Sequence, residues 1–487
     1  MKPLVSVIIP MYNARQTIGH TLESLQQQTL TLWNALVVDD GSTDGSADIV
    51  RGLAQEDPRI TLLYQANRGP GAARNVGIER ADGWFLNFLD ADDTLEPAGL
   101  RTLVDRASAD PSRSITIGRT RLVGPQGQSI GSGFLSAMPG RPGATLTIDD
   151  LLEDNPIQLG AALVRRDLLS DLRFSEHQRF ALDYDLWLRL ALRAVTFRQT
   201  PDIVGSYRLR PGSQSRHVAE QLRAIDTFLA DAYAAARESV SLRRALDVSD
   251  IRRSRVMARF ALRRATALAL TNRSHVRDAL LLLTPYAEAA RCSDWSVTPA
   301  DAAQAAHESI LHTTCAAPAP SADWATPLAA FWLALVERQW ADCTLIDHAR
   351  HELAARMVDP ALVANTLLDR AGQHHKHITL VGLGNNGRLL AEAAMTRGLR
   401  VLARDDALVP GHPDVPKGVT MESPEAPLAR DGAVIITPLI DSVLVARCEP
   451  LAPGRILRWT AARDTLAAET LRAIEAVWVD QPARLVA

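Results

Sequence analysis

Short apolar segments alternate with helical periodicity along the first third of the chain. Apolar and β-branched runs predict four strands, at residues 5–9, 35–38, 61–64 and 84–89. Between the first two, Ile18, Leu22 and Leu25 recur at helical spacing and predict a helix that packs on the sheet. Because the strand segments are almost continuously apolar, both faces of the sheet should be covered. This pattern is typical of an α/β domain with parallel strands.

Polar clusters follow three of these predicted strands. Residues 10–13 read Pro-Met-Tyr-Asn, residues 39–42 read Asp-Asp-Gly-Ser, and residues 90–93 read Asp-Ala-Asp-Asp. In parallel α/β sheets, ligands bind beyond the carboxyl ends of the strands. The three clusters should therefore meet at one edge of the sheet and form a ligand site.

The acidic run at residues 90–93 has the side chains that a hard divalent cation prefers. Asp90 and Asp92 alternate at the end of an apolar strand, so both side chains can reach the same side. A cation that also binds phosphate oxygens and water needs only one or two protein carboxylates. The alternative is a capped strand end that turns into a helix beginning near Glu96.

Four stretches together resemble the family 2 glycosyltransferases of the GT-A fold, in particular the bacterial, non-processive members. These stretches occur in the family's order and spacing, at residues 7–13, 38–46, 67–77 and 88–93. The resemblance covers about residues 3–217 and implies a GT-A nucleotide-sugar-binding domain. The Gln-x-x-Arg-Trp motif of processive synthases is missing, which favours transfer of one sugar per visit.

The resemblance also implies the residues of a donor site. The implied nucleotide-sugar contacts are Pro10, Tyr12, Asn13, Asp40, Arg74, Asp90 and Ala91. Asp92 corresponds to the ligand of a Mn²⁺ or Mg²⁺ ion, with Asp90 in support and His217 as a further metal or diphosphate contact. For Arg74 and His217 the alternative is an ordinary surface position.

Residues 181–190 resemble the helix that carries the family's catalytic base. Asp183 takes the position of the base, and a helix N-terminus stabilises its ionised form. Leu182 departs from the family, which usually has Glu there. The alternatives are that Asp183 only caps the helix, or that Asp185 is the base. A single carboxylate base with direct attack by the acceptor implies inversion at the anomeric carbon.

Residues 218–373 change to long helical segments rich in Ala, Leu and Arg, and they are predicted as a separate α-helical domain. Eight arginines lie in one stretch, at Arg243, Arg244, Arg252, Arg253, Arg255, Arg259, Arg263 and Arg264. They form either a surface that docks on membrane or lipid phosphate, or a solvated helix face.

Residues 374–487 return to strand character and are predicted as a small Rossmann-like domain. Gly382, Gly384 and Gly387 follow a predicted strand and open a helix, and Asp405 or Asp406 follows at the distance of a ribose-binding acid. The pattern suits NAD(P) or another nucleotide, but no redox residues accompany it. A structural or partner-binding module is the favoured alternative.

Composition bears on the cellular compartment and the partners expected for this activity. The formal charge of -3 gives no general attraction to nucleic acid, and no stretch has the roughly 20 apolar residues of a membrane span. Four separated cysteines without a CxxC pair argue against a zinc site and fit a reducing compartment. We therefore expect a cytoplasmic glycosyltransferase, with peripheral contact to the inner membrane and self-association left open. Its acceptor is a glycan, a lipid-linked glycan or a protein. The alternatives are a non-catalytic scaffold that recruits partners, or a bifunctional enzyme with a nucleotide-binding C-terminal domain.

Overall fold

The structure is a computed structural model of the chain. It describes residues 2–109, 113–134, 145–210, 217–271, 275–291, 296–314, 324–341, 345–357, 360–372, 377–381, 385–404, 419–421, 433–436 and 456–479. The chain divides into two units, Met1–Leu268 with Arg277–Trp295, and Ala269–Val276 with Ser296–Ala487.

Helices and strands are named here in chain order. Those of the first unit are β1 (Val5–Met11), α1 (Ile18–Gln26), β2 (Trp33–Asp39), α2 (Ser46–Glu56), β3 (Ile60–Tyr64), α3 (Pro70–Arg80), β4 (Phe85–Phe88), β5 (Thr94–Leu95), α4 (Gly99–Ser108), β6 (Ser114–Val123), β7 (Ser129–Phe134), β8 (Thr145–Leu146), α5 (Ile148–Glu153), β9 (Ala162–Arg165), α6 (Leu182–Ala191), β10 (Thr196–Arg208), α7 (Val218–Glu238), α8 (Val240–Ala245), α9 (Asp250–Thr271, which ends in the second unit) and α10 (Val276–Arg291). Those of the second unit are α11 (Pro299–Thr314), α12 (Ala325–Glu337), α13 (Leu345–Met357), α14 (Pro360–Gly372), β11 (His377–Val381), α15 (Asn385–Thr396), β12 (Arg400–Arg404), β13 (Thr420–Met421), β14 (Ala433–Ile436), β15 (Ile456–Arg458) and α16 (Trp459–Val479).

The four predicted strands form the parallel half of the first unit's sheet, as expected of an α/β domain. They are β1 to β4, in the order β3-β2-β1-β4, with every neighbouring pair parallel. Ile18, Leu22 and Leu25 of α1 are fully buried in the core that covers one face of this half. The α/β fold predicted for this part of the chain is confirmed.

The other half of this sheet is mixed rather than parallel. The order continues β9-β6-β10-β5, with β9 antiparallel to both β4 and β6 and β10 parallel to β6. Within the described residues, this path and the parallel half form one sheet of ten strands. The sheet also includes β7, which pairs with β6, and β8, which pairs with β10. The sheet therefore extends well beyond the four strands that periodicity predicted.

The helices after residue 217 do not begin a separate unit. Tyr184 of α6 packs edge-on against Phe228 of α7, with ring centroids 5.1 Å apart, and against Phe260 of α9 at 5.9 Å. These buried aromatic contacts join α7 and α9 to the first unit. The predicted boundary at residue 217 is wrong because the apolar faces of both helices complete the core beneath α6.

The second unit contains a five-stranded parallel sheet among its described residues, in the order β13-β12-β11-β14-β15. Leu367 and Leu368 of α14 are buried in one core with Ile378 and Leu380 of β11. The predicted boundary at residue 373 is therefore also wrong, because α14 belongs to the core of this sheet. The strand order is typical of doubly wound sheets, and the Rossmann-like assignment stays a prediction.

Most of the predicted C-terminal nucleotide site lies outside the described residues. Gly382, Gly384 and Asp405 are among the residues not described, and Gly387 lies in α15. Within the parts of the chain that are described, no helix combines the length and apolarity needed to cross a bilayer.

Candidate functional site

Asp40 follows β2 and anchors the loop that leads into α3. Its Oδ1 accepts hydrogen bonds from Gln65 Nε2 at 2.7 Å and from the Arg68 N–H at 2.8 Å, and its Oδ2 accepts from the Gly69 N–H at 2.8 Å. The residue is buried, and Gly69 has a φ of 91°, which favours glycine. Asp40 thus orders this loop, and the nucleobase contact predicted for it has to use the remaining lone pairs of its carboxylate.

Asn13 joins the loops that follow β1 and β2. Its N–H donates to Ser42 Oγ at 2.9 Å, and its Oδ1 accepts from the Thr43 N–H at 2.9 Å. Asn13 has a φ of 49°, a left-handed conformation that Asn tolerates better than most residues. Nearby, Tyr12 is 54% exposed and Pro10 half-buried. The predicted base-lining segment therefore lies at the carboxyl ends of β1 and β2, with the tyrosine side chain open to solvent.

Three residues of the 67–77 motif serve close packing. A Cβ at Gly71 would lie 2.4 Å from the Ser175 carbonyl oxygen, and one at Gly77 would lie 2.3 Å from Ile8 Cγ2. Asn75 Nδ2 donates to the Phe174 carbonyl at 3.0 Å, and its Oδ1 accepts from the Phe174 N–H at 2.9 Å. Close packing at the two glycines and the hydrogen bonds of the asparagine thus account for these three residues of the motif. No role in ligand binding is needed to explain them.

Arg74 is the side chain of this motif that faces the acidic loop. Its Nη2 donates to Asp90 Oδ1 at 2.5 Å, and the side chain is only 6% exposed. The Phe174 ring lies 5.3 Å from its guanidinium carbon, while the buried Nε has no hydrogen-bond partner among the described residues. A surface position for Arg74 is therefore excluded, and the buried cation has an unused donor.

The loop after β4 concentrates three carboxylates. Arg210 Nε contacts Asp92 Oδ2 at 2.6 Å, the Arg208 N–H donates to Asp93 Oδ1 at 2.9 Å, and Arg208 Nε donates to the Asp92 carbonyl at 2.9 Å. Burial raises the pKa of Asp92, and the charge of Asp90 raises it further against the opposing Arg210. Burial also raises the pKa of Asp93 well above its usual range, and the charges of Asp92 and Asp90 raise it further. The mutual repulsion in this loop is of the kind that a divalent cation relieves.

The predicted metal ligands are two carboxylates of the acidic loop and a histidine, and they stay a prediction. Across the described ranges, no three or more His, Cys, Asp or Glu side chains are grouped closely enough to hold a metal ion. His217 is exposed and faces Phe180, with ring centroids 5.4 Å apart. Asp90 and Asp92 fit a cation whose remaining ligands are phosphate oxygens and water. The ring of His217, which directly precedes α7, lies against Phe180.

Asp183 lies in the first turn of α6. Its Oδ2 accepts a hydrogen bond from Asn155 Nδ2 at 2.9 Å. Burial raises the pKa of Asp183, while the hydrogen bond from Asn155 and the charge of Arg74 oppose this shift. The residue that caps α6 is Ala181, with a φ of 51°, so Asp183 is not the helix cap. A carboxylate with a raised pKa near a buried arginine suits a general base.

The residues on either side of Asp183 have structural roles. Leu182 is 4% exposed, and its Cδ1 would lie 3.5 Å from a Cβ at Gly71, so it fills the space beside α3. Packing in this apolar space accounts for a leucine where the family usually has glutamate. Asp185 is bound to Arg189 through two hydrogen bonds of 3.1 Å and 2.7 Å. An aspartate held in this ion pair is a weaker candidate for the base.

Tyr207 of β10 marks the point where the acidic loop and α6 approach each other. Burial raises the pKa of its hydroxyl well above the usual range, and the charges of Asp93, Asp92, Asp90 and Asp183 raise it further. The positive charge of Arg74 lowers the pKa of Asp183, while its guanidinium group pairs with Asp90. The structure thus brings Asp90 and Asp92, the carboxylates predicted to bind metal, and the candidate base Asp183 to one site.

Two partners of the site were not predicted from the sequence. Asn155, which bonds to Asp183, and Arg210, which pairs with Asp92, both lie outside the stretches that carry the resemblance. Neither spacing nor periodicity signals these two contacts.

The chain is similar in sequence to known glycosyltransferases. A family model described as Glycosyl transferase family 2 matches residues 6–172. The chain is 32% identical over 209 residues to a putative teichuronic acid biosynthesis glycosyltransferase of Bacillus subtilis, an alignment that covers 43% of this chain and 80% of the relative. It is 31% identical over 245 residues to a succinoglycan biosynthesis protein of Rhizobium meliloti, covering 47% of this chain and 68% of the relative. An uncharacterized glycosyltransferase of Escherichia coli is 44% identical over 106 residues, which are 22% of this chain and 31% of that protein.

Proposed function

Because this chain belongs to glycosyl transferase family 2, we propose that it is an inverting, metal-dependent glycosyltransferase that transfers one sugar from a nucleoside-diphosphate sugar. The observation that carries the proposal is the place of α3 between the acidic loop, with Asp90 and Asp92, and α6: Arg74 pairs with Asp90 at 2.5 Å, and Gly71 lies against Leu182, the neighbour of Asp183. A site of this composition combines what nucleotide-sugar transfer requires, namely neutralisation of a diphosphate and removal of a proton from the acceptor.

The donor side of the site is assigned to the strand ends of the parallel half. Pro10, Tyr12, Asn13 and Asp40 bound the nucleoside position, and Ala91 lies within the acidic loop. Arg74, with its unused Nε donor, is directed to the diphosphate, where a planar guanidinium can contact two oxygens. Asp92 and Asp90 would hold a Mn²⁺ or Mg²⁺ ion, which would neutralise charge on the leaving diphosphate when bound. The favoured nucleotides are UDP and dTDP, as the resemblance implies.

Asp183 is assigned as the general base. It takes the proton from the acceptor hydroxyl while the acceptor oxygen forms a bond to the anomeric carbon. The bond between that carbon and the diphosphate oxygen breaks, and the nucleoside diphosphate leaves with the electron pair. Because attack and departure occur on opposite faces, the configuration at the anomeric carbon inverts. The hydrogen bond from Asn155 and the charge of Arg74 favour the ionised form that a base needs before it accepts a proton.

The acceptor is proposed by class only. The names of two relatives refer to the biosynthesis of teichuronic acid and of succinoglycan, which favours a growing glycan, free or lipid-linked, over a protein. The reaction is placed in the cytoplasm or at the inner face of the inner membrane, on the basis of composition and cysteine spacing. Self-association stays a prediction.

A donor screen tests this function directly. The purified full chain would be mixed with UDP-, dTDP- and GDP-sugars, each with and without MnCl₂, and binding would be measured by calorimetry and nucleoside diphosphate release by mass spectrometry. We expect a UDP- or dTDP-sugar to bind and to be hydrolysed only with metal present. Failure of every sugar nucleotide to bind with metal would favour the non-catalytic scaffold. Titration of NAD(H) into the same protein tests the bifunctional alternative.

A further inference from the structure

We propose that Asn155 is a positioning residue for Asp183, and that the arginines of α9 hold the segment that carries it. The inference rests on the proposed function, in which Asp183 is the base. It gives the helical region after residue 217 a role in the chemistry of the site, although none of the residues assigned above to the donor side lies in that region.

The side-chain amide of Asn155 is held in one orientation. Its Oδ1 accepts a hydrogen bond from the Ile157 N–H at 3.2 Å, which leaves Nδ2 to donate to Asp183 Oδ2 at 2.9 Å. Rotation of the amide by 180° would place two oxygens against each other at Asp183 and two N–H groups against each other at Ile157. The contact therefore always offers the carboxylate a donor.

The backbone of Asn155 is held from α9. The Asn155 N–H donates to Asp154 Oδ1 at 2.8 Å, and Arg263 Nη1 donates to both oxygens of Asp154, at 3.0 Å and 2.9 Å. Arg263 also remains partly buried, with 26% of its side chain exposed. A continuous series of hydrogen bonds thus runs from α9 through Asp154 and Asn155 to Asp183.

The same face of α9 also binds α5, the helix that precedes Asp154. Arg252 donates to Asp149 Oδ1 and to Glu153 Oε1, each at 2.7 Å, and Arg259 pairs with Glu153 through its other oxygen. These arginines were predicted to face lipid phosphate or solvent, whereas the guanidinium groups of Arg252 and Arg259 pair with acids of α5, with 14% and 39% of the side chains exposed. The arginine-rich stretch is therefore, at these positions, an internal contact between α9 and α5.

A second contact joins α5 to the helix of the base. Tyr184, which follows Asp183, donates from its hydroxyl to the Leu151 carbonyl at 2.7 Å. The Tyr184 ring packs against Phe228 and Phe260, of α7 and α9. Both the segment that carries Asn155 and the helix that carries Asp183 are thus attached to α9, which restrains their separation.

The electrostatic surroundings of Asp183 explain why an amide is suited to this position. The ionisable groups that act on it are Arg74 from α3, Tyr207 from β10 and Tyr184 on its own helix. Burial raises the pKa of Asp183, and the Asn155 hydrogen bond lowers it. A neutral donor stabilises the carboxylate without a full positive charge that would make it too weak a base.

Carboxyl titration by NMR tests the first part of the proposal on the full chain. The protein would be labelled with ¹³Cγ-aspartate, and the Asp183 signal assigned by its absence in Asp183→Asn. Removal of a hydrogen bond to the charged form raises a pKa, so in Asn155→Ala the Asp183 pKa should increase by about one unit. In Asn155→Asp, which preserves the shape of the side chain, the added negative charge should increase the pKa further.

An Asp183 pKa that is the same in wild type, Asn155→Ala and Asn155→Asp would overturn the proposal. If Asn155→Ala does not fold, Asn155→Leu, which has nearly the same shape and no hydrogen-bond donor, decides in its place. The titration needs no donor or acceptor, so its outcome is separate from the proposed function, which fails instead if Asp183→Asn keeps full turnover.

A matched pair of α9 variants tests the second part. Arg263→Met removes the contact with Asp154, whereas Arg253→Met removes a contact of α9 with Asp226 of α7. We expect Arg263→Met to raise the Asp183 pKa by about half a unit, since the Asn155 amide loses part of its alignment. Arg253→Met should leave that pKa unchanged. Equal shifts in the two variants would contradict a specific role for Arg263.

Discussion

The two sides of the site are assembled in different ways. Much of the proposed donor side consists of strand-end loops whose contacts are short in sequence, such as Arg74 with Asp90, 16 residues apart, and Asp40 with Gly69, 29 residues apart. Its long-range contact is that of Arg208 with Asp93, 115 residues apart. The proposed base side depends on Asp183 and on a contact between Asp154 and Arg263, which are 109 residues apart. The donor side is thus built largely by adjacent βα units, and the base side by helices that return from much later in the chain. A compact motif can encode the first arrangement, whereas only the folded core can supply the second.

Asp92→Ala tests the donor side with the largest expected effect. Loss of the central metal-type carboxylate should reduce metal-dependent donor hydrolysis and transfer by about 10,000-fold, which corresponds to several kcal/mol of leaving-group stabilisation. Nucleoside diphosphate release at saturating MnCl₂ measures it. The control is Asp171→Ala, which removes an exposed aspartate that pairs with Arg193 at 2.7 Å. Equal activity in the two variants would show that Asp92 has no role in the site.

Asp183→Asn tests the base side. It should lower kcat by about 1,000-fold, in the range of general-base catalysis, and leave the donor Kd unchanged, because the loss is confined to the chemical step. Single-turnover transfer and calorimetry measure the two quantities. Asp185→Asn is the comparison, because that carboxylate is held by Arg189. If the loss appears in Asp185→Asn instead, the base has been assigned to the wrong residue.

Arg74→Met addresses the residue that connects the two sides. Loss of a charge-assisted contact to the diphosphate should raise the donor KM by about 10- to 100-fold. Because the variant also leaves Asp90 without its cation, stability would be measured together with the kinetics. Arg74→Met combined with Asp90→Asn should recover stability without recovering KM. Recovery of both would mean that Arg74 serves the fold and not the donor.

Tyr184→Phe gives the smallest effect and concerns the scaffold of the base side. It removes the hydroxyl that donates to the Leu151 carbonyl and should cost about 1 kcal/mol of unfolding free energy. Urea unfolding followed by tryptophan fluorescence measures it. Tyr64→Phe is the matched control, since Tyr64 is 59% exposed and its hydroxyl meets only the surface residue Arg51 among its described contacts. A cost as small as that of Tyr64→Phe would show that the α5–α6 contact adds little to the scaffold.

Periodicity predicted the parallel half of the sheet well. The strands that end at Met11, Asp39 and Phe88 were expected, and so was the meeting of their polar ends at one sheet edge. The mixed half of the sheet was not expected, because β9 is only four residues long and β10 runs through proline and polar positions that obscure alternation. Short or interrupted strands carry little periodic signal, and their pairing depends on partners distant in sequence.

The amino-acid sequence alone determined that an α/β domain bears acidic loops at its strand ends, because apolar periodicity and local turn chemistry act over a few residues. It also identified Asp183 as the candidate base. Only the tertiary structure decided that Arg74 is buried against Asp90, that Asn155 donates to Asp183, and that the arginines of α9 meet the acids of α5. Burial and ion pairing between distant segments arise when the core closes, and a linear pattern of charges does not specify which partner each arginine will meet.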